Sequence, residues 1–420
     1  MPGGKTIAEK ILSRKSGTDA RAGQIVLAEP DFLFAHDGNR PLAIEAFAEL
    51  RGRTVKHPER MALVIDHASP PPTAAVAALH VAMRTFARAQ GIRLYDVGSG
   101  VCHLVVTEHG HIVPGTLVMG SDSHTCTEGA LNCLAAGYGV SDIAAAMISG
   151  QQWFRVPQTI RIEVTGRLRP GVFAKDAILA LVAELGPDGA VYMVLEFRGE
   201  GLAGLGMEER FTLANLAIET GAKAGIVEAD GVTAAWLQGR TVTPWTAVVS
   251  DPDADFARRI VMDLDLVEPM VSCPDAPTNV RPITAVAGTP VHQAVIGTCT
   301  NGRLSDLQEA ARILAGRRVA SGTRLLVVPG SREVFEAAAR DGTVSALLAA
   351  GATFVPPGCG PCAGVHAGVP GPGETVVTSA NRNFKGRMGN PQAAIYLASP
   401  AVVAASAVTG VLTDPRTLLE

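Results

Sequence analysis

The sequence predicts an α/β protein of three doubly wound domains gathered around one central site. Three observations lead there. From Met61 onward, short apolar segments that end in polar clusters alternate with Ala-rich stretches of helical period. The C-terminal third repeats that alternation with different residues at the segment ends. Between the two lies a segment of another character, closed by a Pro-rich run (Pro274, Pro277, Pro282, Pro290) that is the best linker in the chain. The expected domains are therefore 1–157, 158–285 and 286–420.

Taken in order, residues 61–65 read as a strand ending at Asp66-His67, and 73–90 as a helix. Residues 93–97 form the next strand, followed by a Gly-rich turn that reaches His103. A third strand, 116–119, ends at Gly120-Ser121-Asp122-Ser123-His124, and an Ala/Gly-rich helical region follows to about Gly150. In the middle segment, 159–165 alternates as a strand, 174–185 reads as a helix, and 191–197 is a strand carrying Glu196. In the last third, strand 292–296 leads to Cys299, and Ser305-Asp306-Leu307-Gln308 carries a capping-box pattern opening a helix with Leu307, Ala311 and Leu314 on one face. Strands 325–328 and 353–355 follow, the second delivering Cys359 and Cys362, and 375–378 delivers Asn381 through Arg387. Ligands of open α/β sheets bind beyond the carboxyl ends of the strands, where these polar clusters fall.

Composition narrows the classes. A chain of 420 residues with 47% hydrophobic content can build two or three cores. Its net charge of −4 is spread along the chain, which suggests neither nucleic acid nor a membrane surface as partner, but small molecules or proteins. No apolar run reaches about 18 residues, and residues 1–15 lack the apolar core of an export signal, so a cytoplasmic location is expected. Seven unevenly spaced cysteines, an odd number, argue against a disulfide framework and for a reducing compartment.

The chemistry gathers on Cys359-Gly-Pro-Cys362 and Cys299. Read alone, the Cys-x-x-Cys pair fits a thiol–disulfide oxidoreductase, half a metal site, or no catalysis at all. With Cys299 it supplies three thiolates, one short of the four that structural zinc or an ordinary iron–sulfur cluster takes. That deficit leaves a metal with an open position, a Lewis-acid arrangement. Asp66-His67, His103 and Asp122-Ser123-His124 add imidazoles with carboxylates beside them, which suit proton donation near neutral pH. Arg382 and Arg387 offer guanidinium forks for a di- or tricarboxylic acid. Together these parts describe a hydro-lyase for a hydroxy acid that lacks a strong base for the C–H proton.

Dispersed stretches carry a resemblance over essentially the whole length. They are Thr6-Ile-Ala-Glu-Lys-Ile-Leu12, Ala35-His-Asp-Gly38, Asp66-His67, Gly120-Ser-Asp-Ser-His-Thr125, Leu195-Glu-Phe-Arg-Gly199, Met207-Glu-Glu-Arg210, Gly297-Thr-Cys-Thr-Asn301, the Cys-Gly-Pro-Cys loop and Asn381-Arg-Asn-Phe384. The chain resembles the aconitase superfamily, most closely the separate large subunits of the 3-isopropylmalate dehydratase and homoaconitase type. The resemblance implies a [4Fe-4S] cluster on Cys299, Cys359 and Cys362, with Asn301 and Asn381 beside it. It implies Asp66-His67 as the pair that protonates the leaving hydroxyl, His103 paired with Glu196, and Asp122 with His124. Arg382, Arg387 and Ser123 would bind substrate, a hydroxy di- or tricarboxylic acid, with isopropylmalate the first expectation and homocitrate/homoaconitate or a methylmalate the next. One-chain relatives carry a further swivelling domain with a serine base. The resemblance implies that it is absent here and supplied by a separate small subunit. Pro70-Pro71-Pro72, Gly206 and Lys385 depart from the family's usual residues without removing a catalytic group.

The competing class is the thiol–disulfide oxidoreductase on Cys359 and Cys362, which needs no iron and is indifferent to Cys299. An iron-sensing RNA binder is disfavoured by the lack of a basic face.

Overall fold

A computed structural model describes residues 3–39 and 42–419; the terminal residues 1, 2 and 420 of the expected first and last domains, with 40 and 41, lie outside the described residues. Three sheets dominate. The first is wholly parallel, in the order Arg93–Tyr95, Met61–Val64, Phe32–His36, Leu117–Gly120, Leu134–Gly137. Its three inner strands are buried at every position, because helices cover both faces of a parallel sheet. Their carboxyl ends release His36-Asp37, Asp66-His67 and Asp122-Ser123-His124 on one edge of the sheet.

The second sheet is also parallel, ordered Ala224–Val227, Val194–Arg198, Thr159–Thr165, Arg258–Asp263. The third has seven strands. Five are parallel (Ala394–Ala398, Thr375–Thr378, Gln293–Gly297, Arg324–Val328, Ala352–Phe354), and Met270–Ser272 and Val280–Pro282 extend one edge antiparallel. Those two edge strands precede the linker boundary expected at 285. A separate antiparallel ribbon pairs Ile25–Ala28 with Gln152–Arg155.

The sequence expectations hold closely at several elements. The strand Thr159–Thr165 and the helix Ala174–Leu185 have the expected bounds, and the helix Ala74–Gln90 starts after Thr73, whose hydroxyl accepts from Val76 N–H. Others are corrected. The stretch expected to be helical after His124 is a 3-10 segment, Ser123–Leu131, then a strand, Leu134–Gly137, and only then a helix, Val140–Ser149. The strand's Ala and Gly favour no strand, but pairing with Leu117–Gly120 overrides local preference. The helix expected to open at Ser305 begins at Leu304, and its cap is formed by Asp306, which accepts from Arg303 N–H at 3.0 Å.

Candidate active site

The strand ends of the first and third sheets face each other across a cavity of about 750 Å³. His36, His67, Asp122, Ser123, His124, Arg382 and Arg387 all line it. His67 Nδ1 lies 2.7 Å from Asp66 Oδ1, and the other Asp66 oxygen accepts from Cys102 N–H at 2.7 Å. Asp37 fixes the loop by accepting from the backbone N–H groups of Asp66, His67 and Ala68. Burial lowers the His67 pKa, but the carboxylates of Asp66, Asp122 and Asp37 outweigh it and raise the ring to about 9. His67 is therefore an imidazolium at neutral pH. Asp66 is held far below the usual carboxylate range: burial opposes this, and the His67 charge and hydrogen bond overcome it.

Asp122 is the hub of the imidazoles. Its Oδ1 lies 3.2 Å from His103 Nε2 and accepts from His124 N–H at 2.7 Å; its Oδ2 lies 3.6 Å from His67 Nε2. The expected partnership of His103 with Glu196 is not what the fold makes. His103 Nδ1 meets Glu128 at 3.0 Å, whereas Glu196 accepts from Ser250 Oγ at 2.7 Å and Ile7 N–H at 3.4 Å, tying the second sheet to the N-terminal helix Ile7–Ser16. The carboxylate that does serve the cavity is Glu219. It meets His124 Nε2 at 3.0 Å and accepts from Arg382 Nε at 2.7 Å, while Arg382 Nη1 donates to Ser123 Oγ at 2.9 Å. Burial pushes the Glu219 pKa up, but His124 and Arg382 bring it below its usual value. Glu219 thus aims one cavity-lining guanidinium.

The three cysteines converge. All are buried and none is in a disulfide. Asn381 Nδ2 donates to Cys299 Sγ at 3.1 Å, and the same amide's Oδ1 accepts from Cys362 Sγ at 3.5 Å, so one side chain touches two sulfurs. Asn215 Nδ2 also reaches Cys299 Sγ, at 3.5 Å. The hydrogen bond between Cys359 and Cys362 pushes the Cys359 thiol above its ordinary range and the Cys362 thiol below it, and Arg387, with its Nη2 3.6 Å from Cys362 Sγ, adds to the second shift. The backbone joins the two loops, because Cys359 N–H donates to Asp66 C=O at 2.8 Å. Gly358 allows that approach; a Cβ there would lie 2.6 Å from the same oxygen. Thr298, before Cys299, is held at φ 67, a strained conformation of the kind found at binding sites.

This donor set fits a thiolate-bound cluster with one position left to substrate. Three buried sulfurs lie behind the cavity, amide N–H groups point at one of them, and Arg387 links them to it, reaching from Cys362 to the cavity lining with an unpartnered Nε among the described residues. It does not fit a thiol–disulfide oxidoreductase. Cys359 and Cys362 are 5% and 1% exposed, so an incoming disulfide has no access to either sulfur.

Asn301, expected beside the sulfurs, donates instead to Thr212 Oγ1 and Asp306 Oδ1 and lines a different cavity. Residues that sequence reasoning left without a role also belong here. His36 stacks on His67, with centroids 4.2 Å apart. Glu128, which meets His103, follows His124 by four residues in the same 3-10 segment. Lys175, fully buried, donates to Ser379 C=O and Ala380 C=O at 3.0 and 2.6 Å, holding the loop that presents Asn381 and Arg382. Neither it nor Glu219 carried a sequence signal.

A family described as "Aconitase family (aconitate hydratase)" matches residues 9–410. Among curated proteins, the chain is 47% identical to the probable 3-isopropylmalate dehydratase large subunit of Methanothermobacter thermautotrophicus, over 98% of this chain and 99% of that one. It is 48% identical to the homoaconitase large subunit of Thermus thermophilus, over 99% of both chains. It is also 48% identical to 3-isopropylmalate dehydratase large subunit 2 of Archaeoglobus fulgidus, over 99% of this chain and all of that one. Among solved structures, Thermococcus kodakaraensis aconitase X (holo-form) shares the fold, with a TM-score of 0.50 at 15% identity over 85% of this chain and 84% of that one. No helix among the described residues is long and apolar enough to cross a membrane.

Proposed function

The chain belongs to the aconitase family, and from that premise we propose that it is the large subunit of a [4Fe-4S] hydro-lyase that moves a hydroxyl between adjacent carbons of a hydroxy acid. Isopropylmalate is the favoured substrate, because several relatives named for its dehydratase match over nearly their full length. The Thermus relative makes homoaconitase chemistry the second reading. The observation that carries the proposal is a single one: a charged imidazole and two arginines line one cavity, and one of those arginines reaches back to three converging sulfurs.

Cys299, Cys359 and Cys362 would hold the cluster, which supplies Lewis acidity toward the substrate's hydroxyl and carboxylate when bound. Arg382, aimed by Glu219, and Arg387 bind the substrate carboxylates. His67 donates its proton from Nε2 to the departing oxygen, and Asp66 keeps that proton in place at neutral pH. Asp122 and His124 line the same wall and orient the water that leaves and returns.

The C–H proton needs a base. Among the described residues lining the cavity, the carboxylates are Asp122 and Asp142; the first is engaged by His103 and His124, and the second accepts from Gln152 Nε2 at 3.0 Å. A separate small subunit, as the name "large subunit" of the relatives implies for them, supplies the missing base. The test is anaerobic reconstitution with iron and sulfide, addition of the candidate small chain, and measurement of alkene absorbance with isopropylmalate, homocitrate and citramalate in parallel. Turnover of one acid only in the presence of both chains is expected. Turnover by this chain alone, or thiol–disulfide exchange without iron, overturns the proposal.

A further inference from the structure

The cavity opens beside a surface that the fold leaves uncovered. In the ribbon of Ile25–Ala28 and Gln152–Arg155 the inner residues Val26, Ala28, Gln152 and Phe154 are buried. The outer face shows Ile25, Leu27 and Trp153, which are 70%, 59% and 54% exposed, with Leu27 directly opposite Trp153. A ribbon with one solvated face ordinarily alternates apolar inward and polar outward. Here the outer face is apolar except for Arg155, which lies opposite Ile25, and grouped exposed apolar side chains mark a contact surface.

The patch runs into the site. Trp153 lines the reaction cavity as well as the ribbon face. Next to it, the Arg155 guanidinium lies 5.5 Å from the Tyr192 ring, and Tyr192 lines the cavity from a backbone held at φ 60. That conformation is costly for a bulky side chain, and such strain gathers where a ligand or partner is received. Lys223 caps the Tyr138 ring at 3.9 Å on the same wall. The mouth is therefore an aromatic rim with two cations, continuous with an aliphatic face.

We propose that the outer face of this ribbon is the docking surface for the separate chain that brings the base, an inference that rests on the function proposed above. A chain that must put a basic group into the cavity has to cross its rim, and the uncovered apolar face begins at that rim. The complementary partner face is apolar, with a carboxylate placed for Arg155 or Lys223. Self-pairing of this chain fits less well, because it would bring two copies of Arg155 into one small patch.

The test uses the reconstituted chain and the small chain that supports turnover. The double variant Ile25→Glu/Leu27→Glu lies outside the cavity, and Leu27→Ala is a milder companion. Affinity for the small chain, read by calorimetry, is expected to fall about 30-fold in the double variant and less in Leu27→Ala. Iron content and circular dichroism should stay as in the parent, and kcat should recover at saturating small chain. A control, Val261→Glu/Leu266→Glu, alters another exposed apolar groove, at residues 65% and 76% exposed, and should keep the parent's affinity. Unchanged affinity in the ribbon variant, or equal loss in both double variants, overturns the docking surface and leaves the function standing. So does a self-dimer, seen by light scattering, that the ribbon variant splits while still binding the small chain. Turnover by this chain alone overturns the function itself.

Discussion

Replacing Asp66 by Asn tests the proton donor most directly. In the folded chain His67 is raised to about 9 from its ordinary 6.5, so folding binds its proton more tightly. The sign follows from that direction: the stabilisation is full below about 6.5 and is lost as the pH rises through about 9. The gap of about 2.5 units corresponds to about 3 kcal/mol at 1.36 kcal/mol per unit. Asp66→Asn keeps an oxygen for Cys102 N–H but removes the charge opposite His67 Nδ1, the largest influence raising the ring, so burial pulls its pKa down toward the ordinary value. Unfolding free energies of parent and variant, measured by urea denaturation from about pH 6 to 10, should differ by about 3 kcal/mol at the acid end and by under about 1 kcal/mol at the alkaline end. Groups that titrate alike in both chains cancel in this difference. In the reconstituted enzyme the alkaline limb of kcat should move from about 9 toward the ordinary imidazole value of about 6.5. A stability difference that is flat with pH, together with an alkaline limb that stays near 9 in the variant, would refute the assignment.

Cys299→Ser should leave a folded chain that takes up no stable iron–sulfur chromophore on reconstitution, read as visible absorbance and iron per chain; parent-like absorbance would remove Cys299 from the ligand set. Glu219→Gln and Glu196→Gln separate two buried carboxylates. The first should lower kcat/KM roughly 10–100-fold by loosening Arg382 and His124, while the second should cost about 1–3 kcal/mol of stability through Ser250 and Ile7 and leave kcat/KM near the parent's. Lys175→Met should destabilise the chain more at pH 10 than at pH 7. Burial depresses the Lys175 pKa to about 8 from 10.5, so the parent gains stability, about 3 kcal/mol, as the pH rises from about 8 to 10.5, and the variant has no such gain; equal destabilisation at both pH values counts against it.

Much of the site was legible because strand ends and local spacing are written in the chain. Asp66-His67, Asp122-Ser123-His124 and Cys359-Gly-Pro-Cys362 each follow a strand closely, so finding the strand places the chemistry. What failed needed the third dimension. An apolar strand says that Glu196 points into something, but not whether that is the cavity or, as here, the N-terminal helix. Glu219 comes from the 3-10 turn Ala217–Thr220, which has no period to read. Asn301 follows Cys299 by two residues on a helical turn, about 200° around the axis, so its amide points away from the sulfurs toward Thr212 and Asp306. The central strand Phe32–His36 went unread because a short apolar run gives no periodicity to tell strand from helix, and His36 was left without a role.

His36 explains why the proton sits where the chemistry needs it. Its Nδ1 accepts from Gly38 N–H at 3.0 Å, so in the neutral ring the proton is on Nε2, facing Asp122 Oδ2 at 3.5 Å. The ring lies nearly parallel to His67, at 18° and 4.2 Å, an approach that Gly38 permits, since a Cβ there would come 2.5 Å from the His67 ring. Two imidazolium charges at that separation repel by about 4 kcal/mol at an effective dielectric of about 20, so the stack carries one extra proton, not two. Burial first, and then the His67 charge, hold His36 below its ordinary value, whereas the shorter contact to Asp66 raises His67. The asymmetry of a single carboxylate, Asp66 against Nδ1 of one ring and a backbone N–H against Nδ1 of the other, therefore places the extra proton on His67, the donor proposed above, and leaves its neighbour neutral.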